Sequence, residues 1–371
     1  MTKKVIAAGH ICLDITPVFP SHQHCAQVGE LLEPGKLLHV DRADVHTGGS
    51  VANTGLALKL LGVDVTLMGK IGKDAFGSMV ERLLVEHGAG GLLTAPDSST
   101  SYSIVLAIPG IDRIFLHNPG ANDTFSNADI PEEALGDAVL FHFGYPPLMR
   151  RMYQNNGMEL ISMFWRMKEK GIATSLDFAA IDPGSEAGKA DWNAILAGVL
   201  PYVDFFVPSF EELCFMLDRE QYGRLAAKGG DMTEGVDMET EVKPLARRLL
   251  ELGCKAVLIK CGTSGMYYCT AEQSVMDQVG ARLGLDAGAW AGQEGIQPCF
   301  QADTVRSGTG AGDTSIAAFL AAVLRGKTPA ECAALAAAEG ACCVTAYDAL
   351  SELKPLEVLE KRICTGWRTM K

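Results

Sequence analysis

Ser307-Gly308-Thr309-Gly310-Ala311-Gly312-Asp313 is the stretch whose residue types and spacing best suit chemistry. Alternate glycines let a backbone approach a ligand closely and turn its N–H groups inward. An apolar helix is expected to follow directly, and its positive end favours an anion such as a migrating phosphoryl group. Asp313 stands at that helix start, where a carboxylate accepts a proton from an attacking alcohol and is expected to stay ionised. The plain alternative is a turn whose aspartate merely caps a helix. The spacing is not Gly-x-Gly-x-x-Gly, so this is no dinucleotide fingerprint.

A second segment, Gly48-Gly49-Ser50-Val51-Ala52-Asn53, opens the first long helix. Paired glycines beside an asparagine suit backbone approach to a polar ligand, with the amide bonding a hydroxyl; tight helix–sheet packing explains them equally well. A third, Gly69-Lys70-Ile71-Gly72-Lys73-Asp74-Ala75-Phe76-Gly77, reads as a structural strand-to-helix turn with Asp74 as cap. His22, His24 and Cys25 lack a second half at metal-ligand spacing, so a solvated loop is the better reading.

Taken in order, Gly9…Asp14, Gly48-Gly49…Ala52-Asn53, Gly69-x-Ile71-Gly72-x-Asp74-x-Phe76-Gly77, Gly120-Ala121-Asn122 and Gly310-Ala311-Gly312-Asp313 resemble the ribokinase (PfkB) carbohydrate kinase family. The resemblance runs from Val5 to about Ala349. It implies a ribokinase-like fold, ATP as donor, Mg²⁺, and a lid that closes over a sugar. Position by position, it makes Asp313 the general base and Gly310, Ala311 and Gly312 the anion hole for the γ-phosphoryl group. Asp14, Gly48, Gly49, Asn53 and Asn122 become acceptor contacts. Lys260-Cys261-Gly262-Thr263-Ser264-Gly265 resembles the nucleotide-side turn, with Lys260, Gly262 and Gly265 near phosphates or base. Several members of the family are dimeric, so the resemblance also suggests a homodimer.

The chain departs from the pattern in three places. The family's Asn-x-x-Glu is Ser209-Phe210-Glu211-Glu212 here; Glu212 is kept to act on Mg²⁺ through water, while Ser209 replaces an amide by a hydroxyl. Ser307 stands where potassium-activated members carry aspartate, which leaves a monovalent cation doubtful. Phe178-Ala179-Ala180 lacks the polar pair common in sugar kinases, so the acceptor stays open.

The elements that must position these residues alternate along the chain. Strand-like runs at 4–8, 65–68, 139–143, 173–177, 204–208 and 256–260 are separated by helical segments, which argues for a doubly wound, mostly parallel α/β sheet flanked by helices. Residues 101–108 and 113–117, joined by the turn 109–112, read as a hairpin. Together with 15–45 they are expected to form a small β lid on one domain spanning 1–371. Residues 219–242 are expected to be a mobile insertion and 271–298 a long hairpin or loop.

Composition bounds the partners. The 371-residue chain carries a formal net charge of −13, a poor match for nucleic acid or an anionic membrane. No export signal and eleven cysteines without a Cys-x-x-Cys pair suggest reduced thiols in the cytoplasm. Three activities remain: a sugar or sugar-acid kinase acting on a hydroxymethyl group, a nucleoside kinase of the same fold, and a catalytically silent ligand-binding relative.

Overall fold

Lys4–Gly9 carries Val5-Ile6-Ala7-Ala8, all fully buried, as a strand covered on both faces requires. It lies in an eight-stranded sheet of order Glu294–Gln297, Met266–Thr270, Ala256–Lys260, Phe205–Phe206, Ala173–Asp177, Ala138–Gly144, Lys4–Gly9, Asp64–Met68. The strands from Ala256–Lys260 to Asp64–Met68 are parallel, and the two beyond Ala256–Lys260 are antiparallel. This computed structural model describes residues 3–20, 22–111 and 113–370. Ser21 in the expected lid and Asp112 in the expected turn lie outside the described residues.

The sheet grows from Lys4–Gly9 first toward Asp64–Met68 and then the opposite way, toward Ala138–Gly144. Ligands of open parallel sheets bind outside the carboxyl ends of the strands at such a reversal. One face is covered by Met158–Glu169, Trp192–Val199, Phe210–Leu217 and Lys243–Glu251; the other by Ser50–Leu60, Ala311–Leu324 and Pro329–Cys343. Ala311–Leu324 is sandwiched so fully that every residue from Asp313 to Leu324 is buried. Small side chains allow that: the helix packs closely on Pro329–Cys343, itself alanine-rich. Among the described residues no helix is long and apolar enough to cross a membrane.

The lid is a four-stranded sheet of order Ala43–Gly48, Cys12–Pro17, Tyr102–Leu106, Ile114–Asn118. Its outer core is a small cluster of Phe19, Cys25 and Ile108. Its strands overlap the regions 15–45 and 101–117 expected to form a lid and reach a few residues beyond them.

Two expectations are corrected. Residues 219–242 hold the helix Arg219–Lys228 and the helical turn Met238–Val242, and Val236 and Val242 join the main core, so the segment is built into the fold. Residues 271–298 form no hairpin of their own. They carry short helical turns and the strand Glu294–Gln297, which pairs Met266–Thr270 and closes the sheet edge. Trp290, 2% exposed, packs edge-on against Phe205 and Phe319, an anchor that glycine-rich composition conceals.

Candidate active site

Gly310 is the N-cap of Ala311–Leu324 with φ 75°, a left-handed geometry open to glycine. A Cβ there would also lie 2.2 Å from the Ala349 Cβ, so both backbone and packing demand glycine. Ala311 N–H donates to Gly308 C=O at 3.3 Å, and Gly310, Ala311, Gly312 and Asp313 all line the cleft. Asp313 sits inside this turn, 4% exposed.

Its carboxylate is held from three sides. Asn53 Nδ2 donates to Oδ2 at 2.9 Å, Thr54 Oγ1 donates to Oδ1 at 3.3 Å, and the Tyr145 hydroxyl lies 2.9 and 2.8 Å from Oδ1 and Oδ2. Burial pushes the Asp313 pKa above its ordinary value, although Asn53, Lys260, Tyr145 and Thr54 all oppose the shift. Burial thus works against the ionised form that the helix terminus was expected to favour, and these donors work for it.

Lys260 ends the strand Ala256–Lys260 and reaches Asp177 Oδ1, at the end of its own strand, at 2.9 Å. Its Nζ lies 3.5 Å from the point where a Cβ on Gly312 would be, so one ammonium neighbours both the Gly310–Asp313 turn and Asp177. Burial lowers the Lys260 pKa, but the charges of Asp177 and Glu212 overcome this and raise it. Asp177 is pushed up by burial, with Lys260 opposing. Gly262, at φ 51°, and Gly265, at φ 104°, make the following turn; a Cβ on Gly262 would strike Thr233 Oγ1 at 2.1 Å.

Ser209 and Glu212 form a reciprocal cap on Phe210–Leu217: Ser209 N–H donates to Glu212 Oε2 at 2.7 Å, and Glu212 N–H to Ser209 Oγ at 3.3 Å. Both also line the cleft.

The cleft measures about 1690 Å³. A single small-molecule site takes roughly 300–1,000 Å³, so this cleft is larger than one such site. Its walls include Gly310, Ala311, Gly312, Asp313, Lys260, Gly262, Gly265, Ser209 and Glu212, which brings the donor-side residues together. Asp14 and Asn53 are half-buried and Gly48 and Gly49 buried, and none of the four is among the residues that line this cleft. Asp14 accepts from the Cys12 thiol at 3.3 Å and packs against Gly48, where an added Cβ would meet its Oδ2 at 2.1 Å.

Asn122 is a correction. Fully buried, it accepts from Ile11 N–H at 3.2 Å and donates to Ile11 C=O at 2.9 Å. Its amide is committed to the backbone where the first strand turns into the lid, which removes it from acceptor contact. Asp74 caps Ala75–Glu86 through Gly77 N–H at 2.7 Å, as the sequence predicts.

Tyr145, Thr54 and Asp177 were not among the residues singled out from sequence, and Lys260 was named there without its partner Asp177. Position at the carboxyl ends of parallel strands was the available signal for Tyr145 and Asp177. Tyr145 has φ 67° and ψ 41°, a conformation that costs a non-glycine residue about 1–2 kcal/mol.

The fold is that of the ribokinase-like α/β class. The chain belongs to the pfkB family of carbohydrate kinases, whose sequence pattern it matches across residues 2–355. It is 24% identical over 301 residues to an uncharacterised sugar kinase of Archaeoglobus fulgidus, covering 79% of this chain and 96% of that protein. Among solved structures it is similar to Arabidopsis thaliana ribokinase complexed with ribose and ATP (TM-score 0.70, 20% identity, 97% and 98% of the two chains). It is also similar to a Methanocaldococcus jannaschii nucleoside kinase (TM-score 0.65, 18% identity, 98% and 99%). At these identities the structural likeness bears on the fold.

Proposed function

We propose that this chain transfers the γ-phosphoryl group of ATP to a hydroxymethyl group of a sugar or sugar-like acceptor. The observation that carries the reading is Asp313: a buried carboxylate in the first turn of a glycine-capped helix, with the Lys260 ammonium beside the same turn. The acceptor oxygen attacks the γ-phosphorus, its proton passes to Asp313, and ADP leaves with the electrons of the broken bond. Amides of the Gly310–Asp313 turn and Lys260 balance charge on the moving group, the main demand of phosphoryl transfer. Mg²⁺ brought with the nucleotide would neutralise further charge. Glu212, an oxygen donor on the cleft wall, is suited to hold it through water.

A nucleoside acceptor is the second reading, favoured by one observation: Tyr102, Ile104, Phe115 and Phe178 give the cleft an aromatic and aliphatic wall suited to a base. The test is ADP release with pentoses, hexoses, keto-deoxy acids and nucleosides, for the natural chain and for Asp313→Asn. Turnover with sugars that is lost in Asp313→Asn supports the first reading. Turnover confined to nucleosides selects the second, and background rates for both proteins reject catalysis.

A further inference from the structure

Asp313 has about four acceptor positions on its two oxygens. Asn53 takes one on Oδ2 and Thr54 one on Oδ1. The Tyr145 hydroxyl, almost equidistant at 2.9 and 2.8 Å, covers the edge between the oxygens. An acceptor hydroxyl delivering its proton to Asp313 has to occupy part of that same edge. Tyr145 therefore already stands where a reacting group must stand.

Two further observations point the same way. The cleft wall includes both Tyr145 and Asp313, so the phenol and the carboxylate it bonds border the same open space. Tyr145 is also one of three non-glycine residues with positive φ among the described residues, at the end of a sheet strand and before Pro146-Pro147. Its N–H donates to Asp177 C=O at 3.3 Å and its C=O accepts from Leu148 N–H at 3.0 Å, which hold the backbone in this conformation. Only the ring is left to rotate, and it borders open cleft.

We propose that Tyr145 is the acceptor gate: its phenol keeps the acceptor hydroxyl's place on Asp313 until the acceptor displaces it, and so denies the base to water. The inference rests on the phosphotransfer reading. The side reaction it suppresses is hydrolysis. A water oxygen bonds to the γ-phosphorus, the bond to ADP breaks, ADP leaves with that electron pair, and one water proton passes to Asp313. A phenol in the way excludes that water until a larger hydroxyl ligand pushes it aside.

The test needs no knowledge of the acceptor. ATP hydrolysis without acceptor is measured for the natural chain, Tyr145→Phe and the double variant Tyr145→Phe/Asp313→Asn. Phenylalanine keeps the ring but removes the bond to Asp313. The expected result is a rise of roughly tenfold in Tyr145→Phe, the size of one hydrogen bond to a charged group, and its loss in the double variant. The acid limb of the rate should also move to higher pH in Tyr145→Phe, because a donor that favours the charged carboxylate is gone. If Tyr145→Phe hydrolyses ATP no faster while the natural chain phosphorylates an acceptor, the gate is overturned and the kinase stands. An equal rate in the double variant also overturns the gate, since Asp313 then takes no part. If no variant binds ATP by calorimetry, the kinase reading falls and the gate with it.

Discussion

Lys260 Nζ lies 2.9 Å from Asp177 Oδ1, although the strand Phe205–Phe206 separates their two strands in the sheet. Both residues end their strands at the same edge, which is how a parallel sheet converts distant sequence positions into one site. The ammonium also neighbours Gly312, so it stands between Asp177 and the Gly310–Asp313 turn.

Replacing Lys260 by Met should lower kcat by about 10²–10³-fold, the usual loss for one charge-stabilising donor in a transition state. The same change leaves Asp177, 1% exposed, without its cation, and breaking a buried pair costs about 3–5 kcal/mol. Lys260→Met/Asp177→Asn should then regain stability in thermal melts but not turnover. Recovery of both together would show that Lys260 acts only through folding.

The acid side of the pH profile follows from Asp313. As a base it must be ionised, and burial raises its pKa above 3.8, so activity should fall as pH drops through a value above that figure. Asn53→Ala removes a donor that favours the ionised form; its acid limb in kcat/KM should shift further upward. An unchanged limb would place the titration elsewhere.

Asn122→Ala tests the hinge rather than the chemistry. It strands the buried N–H and C=O of Ile11, and an unpaired buried polar group costs about 1–3 kcal/mol. The melting temperature should fall by several degrees while KM for ATP changes little. A selective rise in acceptor KM without loss of stability would instead restore Asn122 to the acceptor site.

How much of this was legible depended on whether the signal was local. The parallel strands and the helix after Gly310 could be read because apolar runs and glycine spacing are properties of neighbouring residues. The motifs around Gly310, Gly262 and Glu212 could likewise be picked out locally, and the structure brings them to one cleft. Asn122 misled because a motif names a polar residue without naming its partner, and the partner, Ile11, is 111 positions away. Ser209-x-x-Glu212 was read only as a metal-side pair, and the structure adds a reciprocal helix cap that the motif does not announce. Tyr145 carried no motif. Its role arises from a left-handed backbone at a strand end that aims the phenol at a residue 168 positions later, a relation no local pattern encodes.

Glu339 offers a test of the fold independent of the reaction. It is fully buried in Pro329–Cys343 and accepts only from Lys354 N–H, at 3.1 and 3.3 Å, among the bonds described for its carboxylate. Burial pushes its pKa from 4.5 up to about 8, with Lys354 opposing. The folded chain thus holds a proton that the unfolded chain releases between these values. Stability from this group is complete below pH 4.5 and is lost as pH rises toward about 8. The slope is at most about 1.4 kcal/mol per pH unit for one proton. Glu339→Gln keeps an oxygen for the Lys354 N–H and mimics the protonated form. It should match the natural chain in melting temperature near pH 5 and exceed it by a few degrees at pH 8, where the natural chain must bury a charge or retain a proton. Parallel melting curves for the two proteins across that range would show that Glu339 does not titrate on folding.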